Sequence, residues 1–149
     1  MLPLVLASSS PYRRQLLERL GLPFTWAAPD IDETPHAGES AEALTARLAA
    51  NKAAALAISC PEHLIIGSDQ VLLLDGIPVS KPGNHLAACE QLRRCSGRTL
   101  RFSTALCLFN SRTGRQQVTV EPFDVTFRQL NDEQIDRYLR REQPYDCAG

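Results

Sequence analysis

The sequence predicts an α/β fold, and three observations carry that prediction. Short apolar runs of strand length alternate with segments whose leucines or alanines recur at helical spacing. Each change of period falls at a Pro, Gly or Ser/Asn cluster, the residues that cap helices and close turns. Two long β-rich segments flank the turn "NSRTG" and add a hairpin to the alternation.

Taken in chain order, "LPLVLA" is apolar throughout and reads as a buried strand. Ser10 then fits an N-cap and Pro11 the first helical residue, where its missing N–H costs nothing. Leu16, Leu17 and Leu20 repeat at helical spacing, so a helix is expected over 11–20, stopping at Gly21. "FTWAAP" is a short strand, which makes the opening a βαβ-like unit, and "PDIDETPHAGES" is a polar, turn-rich loop. Ser40 caps a long alanine-rich helix, "AEALTARLAANKAAALAIS", which must end before Pro61. "HLIIGSDQVLLLDG" reads as a strand, an interruption at Gly67-Ser68, and a second strand that turns at Asp75-Gly76. "VSKPGN" is a loop, and the helix through "HLAACEQLRRCSG" terminates at Gly97. "TLRFSTALCLFN" and "RQQVTVEPFDVTF" are the hairpin strands, and Asn131 caps a final helix, "NDEQIDRYLRR". There are no internal repeats and no low-complexity linkers.

Composition narrows the function classes. A chain of 149 residues that is 44% hydrophobic can build one domain with a proper core. Sixteen basic residues stand against 17 acidic ones, for a net charge of −1, so no global basic field exists to hold a nucleic-acid polymer. The apolar runs are too short to span a bilayer and the N-terminus lacks the form of a signal peptide, so the expectation is a cytoplasmic protein with no membrane partner. Five cysteines, an odd number without a C-x-x-C pair, read as reduced thiols rather than a disulfide framework or a zinc site. His36, His63 and His85 are scattered, so a histidine-based centre is not expected.

Several charged residues stand out against that background. Arg13 and Arg14 lie in the first turn of the first helix, against the positive end of its dipole, so something negative should offset them. With Ser8, Ser9 and Ser10 ahead of them, the free amides and guanidinium forks form a receptor for phosphate; a plain helix cap with two solvated arginines is the alternative. Asp69 sits inside "LIIGSDQVLLL", where apolar neighbours predict burial, and a buried carboxylate is costly unless paired with a cation or a metal. Its alternative is a polar turn between two strands. "DIDET" offers Asp30 and Asp32 on one side and Glu33 on the other, Lys52 stands among small residues that would admit a ligand close to the helix, and Lys81 follows a strand in "SKPG". Together, cations for phosphates and carboxylates for a hard metal and for activating water suit hydrolysis of a phosphoanhydride.

The ordered set "LASSSPYRRQLLERLG", "DETP", "NKA", "IIGSDQV", "SKPG", "SGRT" and "PYDCAG" resembles the Maf family of nucleotide pyrophosphatases along the whole chain. "SSSPYRR" with "SDQV" is similar to its branch acting on 7-methyl-GTP; the branch acting on dTTP and UTP has arginine in place of Tyr12 and threonine in place of Gln70. The resemblance implies an ITPase-like mixed sheet flanked by helices, with an elongated cleft. It implies cleavage between the α and β phosphates of a nucleoside triphosphate with a divalent cation, Mg²⁺ or Mn²⁺. Asp69 maps to the proton acceptor and, with Glu33, to the metal ligands. Ser8, Arg13, Lys52 and Lys81 fall to the phosphates, and Tyr12 and Gln70 to base preference. The family is linked to housecleaning of modified nucleotides and to arrest of cell division, and its members are commonly homodimers. Two departures are visible. Leu100 stands where a histidine is frequent, and relatives continue past "CAG", so residues 1–149 are expected to be one Maf-like domain lacking its C-terminal segment. A non-catalytic nucleotide-binding regulator of division is the competing function. A binder gains nothing from an unpaired acid beside phosphates, whereas a hydrolase needs one.

Overall fold

The computed structural model describes residues 1–79 and 81–144; Cys147 and the rest of "PYDCAG" after Pro144 lie outside the described residues. Ten elements follow one another: β1 (Leu4–Ala7), α1 (Pro11–Glu18), β2 (Thr25–Ala27), α2 (Ala41–Ala55), β3 (Leu64–Leu74), β4 (Ile77–Val79), α3 (His85–Cys95), β5 (Thr99–Asn110), β6 (Gln116–Thr126) and α4 (Asp132–Glu142). The strands form one mixed sheet in the order β2-β1-β3-β5-β6, with β4 paired to β3. β1 runs parallel to both β2 and β3, as the intervening helices require, and β4 runs antiparallel to β3. The predicted α/β class and its mixed sheet are therefore present.

The chain divides into two compact units. Met1–Gln70 with Thr104–Glu121 form the first, and Val71–Ser103 with Pro122–Gly149 the second. In the first, Val5, Ala7, Ala49, Ala53, Leu56, Ile65, Ala105 and Cys107 make the core. In the second, Ala88, Cys89, Leu92, Ile135 and Leu139 pack α3 on α4, and Leu72, Leu74, Cys95 and Leu100 pack a second cluster. Leu100 is thus a core residue, fully buried, and its position has no polar role in this chain.

The capping chemistry appears as the sequence predicts. Ser10 accepts the Arg13 N–H, Ser40 accepts that of Ala43, and Asn131 forms a reciprocal capping box with Gln134. Asp75 and Gly76, both at positive φ, close the two-residue turn that pairs Leu74 with Ile77.

Two expectations change. The break at Gly67-Ser68 is absent, because β3 is continuous; Gly67 is there for helix packing, since a Cβ on it would lie 2.1 Å from the Ala49 carbonyl oxygen and 2.8 Å from the Ala53 nitrogen. What does change along β3 is its covered face: Ile65, Gly67 and Asp69 are buried up to Gln70, and Leu72 and Leu74 beyond it. The small residues around Lys52 serve the same packing, for Ala49 and Ala53 are fully buried in the core rather than open to a ligand. Leu16 on α1, Leu20 and Leu22 after it, and Trp26 on β2 are exposed.

Candidate active site

The site grows out of the alternation of β3. Odd-numbered side chains of its first half face α2, so Asp69 is carried inward on the same face as Ile65 and Gly67. The absent side chain at Gly67 lets α2 approach closely, and that approach brings Lys52, one helical turn after Leu48 and Ala49, over the strand. Lys52 Nζ donates to Asp69 Oδ1 at 3.0 Å, and both side chains are about nine-tenths buried, at 10% and 11% exposure. The buried carboxylate therefore has the cationic partner that its burial demands, and Asp69 is not the unpaired acid by which a hydrolase was to be told from a binder.

Glu33 reaches the same ammonium from the loop before α2. Its Oε1 stands 3.0 Å from Lys52 Nζ, while most of the side chain stays in solvent. The loop is shaped by its own polar residues. Asp32 Oδ1 accepts both the N–H and the hydroxyl of Thr34, and Arg47 on α2 donates to the Thr34 carbonyl while forking onto Glu39. Hydrogen bonds from Arg47 and then from the His36 N–H hold the Glu39 carboxyl down at about 2. Asp32 is thus spent on the turn and Glu33 is the acid presented to Lys52, which matches their expected separation. Asp30 has no assigned role in the arrangement. The support from Arg47 and Glu39 was not apparent from any motif in the sequence.

The opening arginines part company. Burial lowers the Arg13 pKa, while the charges of Asp69 and then Glu33 act to raise it, so these two carboxylates are the negative partners that its place at a helix N-terminus calls for. Arg14 turns instead to an aromatic face, its guanidinium carbon lying 4.4 Å from the Trp26 ring centroid. One fork, not two, is therefore offered to an anion. Ser8 is buried, with Oγ accepting the Ser10 N–H at 3.0 Å, and its hydroxyl hydrogen remains to be donated.

Gln70, next to Asp69, points to the opposite, exposed face and donates from Nε2 to Thr104 Oγ1 at 2.8 Å. Tyr12 is half exposed on the first turn of α1. Lys81 belongs to the second unit, where it is exposed on the loop ahead of α3. The structure thus brings Arg13, Glu33, Lys52 and Asp69 together in the first unit. These four formal charges cancel, so a polyanionic ligand entering here would need further positive charge.

The donor set also suits a hard divalent cation. Glu33 and Asp69 both present oxygens to the Lys52 ammonium, so a Mg²⁺ held by these two carboxylates, with phosphate oxygens and water filling its other positions, would replace that ammonium between them.

Comparison with known proteins agrees with the geometry. A family profile described as Maf-like protein matches residues 3–149. A 7-methyl-GTP pyrophosphatase of Pseudomonas putida is 58% identical over 149 residues, all of this chain and 78% of that protein. Proteins of the same name from Nitrosococcus oceani and Cupriavidus pinatubonensis are 57% and 59% identical over 146 residues, 98% of this chain and 73% of each relative.

Proposed function

Because the chain belongs to the Maf-like family, we propose that it hydrolyses 7-methyl-GTP to 7-methyl-GMP and diphosphate, with Asp69 as the proton acceptor. The observation that carries this reading is the buried Asp69 carboxylate, held through Oδ1 by Lys52 beside Glu33 and Arg13. Lys52 fixes one oxygen and leaves Oδ2 to take a proton.

In the reaction, water oxygen bonds to the α-phosphorus and the bond to the α–β bridging oxygen breaks, its electron pair leaving with diphosphate. The water proton passes to Asp69. Arg13, Lys52 and the Ser8 hydroxyl bind phosphate oxygens and orient the α-phosphorus, and Lys81 is carried over as a phosphate-binding residue from the family resemblance. Glu33 and Asp69 would hold a divalent cation, Mg²⁺ or Mn²⁺, which would neutralise phosphate charge and acidify water.

Tyr12 and Gln70 choose the base. Methylation at N7 makes the guanine ring cationic, and an aromatic face attracts such a ring by roughly 0.5–2 kcal/mol whereas an arginine repels it. Gln70 has its Oε1 and a second amide hydrogen left to read a purine edge after its bond to Thr104.

The family match across 3–149 supports one Maf-like domain built from both units. A homodimer in the cytoplasm completes the reading. The free thiols Cys60, Cys89, Cys95 and Cys107 suit a reducing compartment, and no helix among the described residues is long and apolar enough to cross a membrane.

The test is a screen of canonical and N7-methylated nucleoside triphosphates for diphosphate release, with Mg²⁺ and after chelation. Release from 7-methyl-GTP that stops on chelation and returns with the metal is expected. Tight binding of these nucleotides without release would favour the regulator instead.

A further inference from the structure

The second unit holds a group of side chains with no part in the proposed hydrolysis. His85 and Cys89 lie one turn apart on α3 and so share a face, and Asp136 of α4 meets them there. One donor atom from each residue, His85 nitrogen, Cys89 sulfur and Asp136 oxygen, lies within 4.8 Å of the other two. The H-x-x-x-C spacing is in the sequence, but the third donor comes from a distant helix.

We propose that His85, Cys89 and Asp136 form a binding site for a thiophilic divalent d-block cation, Zn²⁺ or Co²⁺. The donor chemistry sets the class. A thiolate and an imidazole select zinc-like ions over Mg²⁺, whose preference is for oxygen alone. The site shares no residue with Glu33 and Asp69, so it does not depend on the pyrophosphatase reading.

The present geometry is close to what such an ion needs. His85 Nε2 and Asp136 Oδ1 are hydrogen-bonded at 2.7 Å. Two ligands at about 2.0–2.1 Å on a tetrahedral ion stand roughly 3.3 Å apart, so side-chain rotations that part this pair by about 0.6 Å admit the metal. Arg140 Nε donates to Asp136 Oδ2 at 2.8 Å, which fixes the carboxylate and leaves Oδ1 facing the site, in the manner of an outer-sphere support. Cys89 is buried against Ala88, Leu92, Ile135 and Leu139, while His85 and Asp136 are partly exposed. The site is therefore dry on the sulfur side and open to solvent on the other, which leaves room for water as a fourth ligand. On binding, the Cys89 S–H bond is exchanged for a sulfur–metal bond and the proton goes to solvent, with no change of oxidation state.

Cobalt titration of the metal-stripped protein, followed in the near ultraviolet, tests the proposal because only a thiolate ligand gives intense sulfur-to-cobalt charge transfer there. One equivalent of Co²⁺ should produce the band. Cys89→Ser should abolish it, His85→Gln should weaken cobalt affinity by at least about tenfold, and Asp69→Asn should leave it intact. Zn²⁺ at a hundredfold excess over its Kd should raise Tm by on the order of 5 °C in wild type and much less in Cys89→Ser. Absence of the band at stoichiometric Co²⁺, or a band that survives Cys89→Ser, overturns the proposal.

Discussion

Replacing Gly67 by alanine isolates the packing that builds the active site. The added Cβ would stand 2.1 Å from the Ala49 carbonyl oxygen and 2.8 Å from the Ala53 nitrogen, both backbone atoms of α2 that no rotamer change can move. Lengthening 2.1 Å to the 3.4 Å of an ordinary contact requires α2 and β3 to part by about 1.3 Å. Overpacking of this kind costs about 1–3 kcal/mol, which for a chain this size lowers Tm by roughly 2–12 °C. The effect on turnover should be larger than that figure suggests. Lys52 rides on α2 between the two clashing residues, and a displacement of about 1 Å takes its 3.0 Å contact with Asp69 to the limit of an ion pair. Turnover measured well below Tm should therefore fall by roughly 10–100-fold, with the melting curve still cooperative. Wild-type melting and wild-type turnover in Gly67→Ala would refute the claim that this close approach positions the lysine.

Three further perturbations address other parts of the site. Lys52→Met leaves Asp69 buried without its ammonium partner, and urea unfolding should show a loss on the order of 3 kcal/mol together with loss of activity. Glu39, with an ordinary value of 4.5 and a folded value of about 2, binds its proton more readily when unfolded; its stabilising effect is present above pH 4.5 and lost as pH falls toward 2. Glu39→Gln should accordingly flatten the acid limb of a pH–stability profile without altering the plateau's dependence on pH near neutrality. Tyr12→Arg combined with Gln70→Thr should shift kcat/KM from 7-methyl-GTP toward UTP and dTTP, by the roughly two- to thirtyfold that cation–π attraction allows, and an unchanged ranking of these with GTP would remove both residues from base selection.

Much of the fold is legible because its signals are local. Ser10, Ser40 and Asn131 each cap the helix that follows them, and Asp75-Gly76 supplies the left-handed pair that a two-residue hairpin turn needs. Asp69 was legible as a buried acid because the apolar residues that flank it are its neighbours in sequence. Gly67 misled for the same reason: a glycine inside a strand marks either a break or a close approach, and only the helix lying across it decides which. The fates of Arg13 and Arg14 diverge through Asp69, Glu33 and Trp26, contacts that sequence proximity to the helix cap cannot reveal. The exposed stripe of Leu16 and Leu20 has the helical spacing of a buried face, but spacing gives the period of a helix and not what covers it. His85 and Cys89 became a candidate site only when α4 brought Asp136 to them.

The identity of Asp69 as proton acceptor is tested most directly by Asp69→Asn, which keeps the shape of the side chain and its place beside Lys52 while removing its basicity. Single-turnover hydrolysis of 7-methyl-GTP and calorimetric binding of the same nucleotide should be measured for both proteins at one Mg²⁺ concentration. General-base catalysis of this kind contributes about 10²–10⁴-fold, so turnover should fall by at least about 100-fold while Kd stays within a few-fold of wild type. An Asp69→Asn protein that hydrolyses 7-methyl-GTP at the wild-type rate would contradict the account.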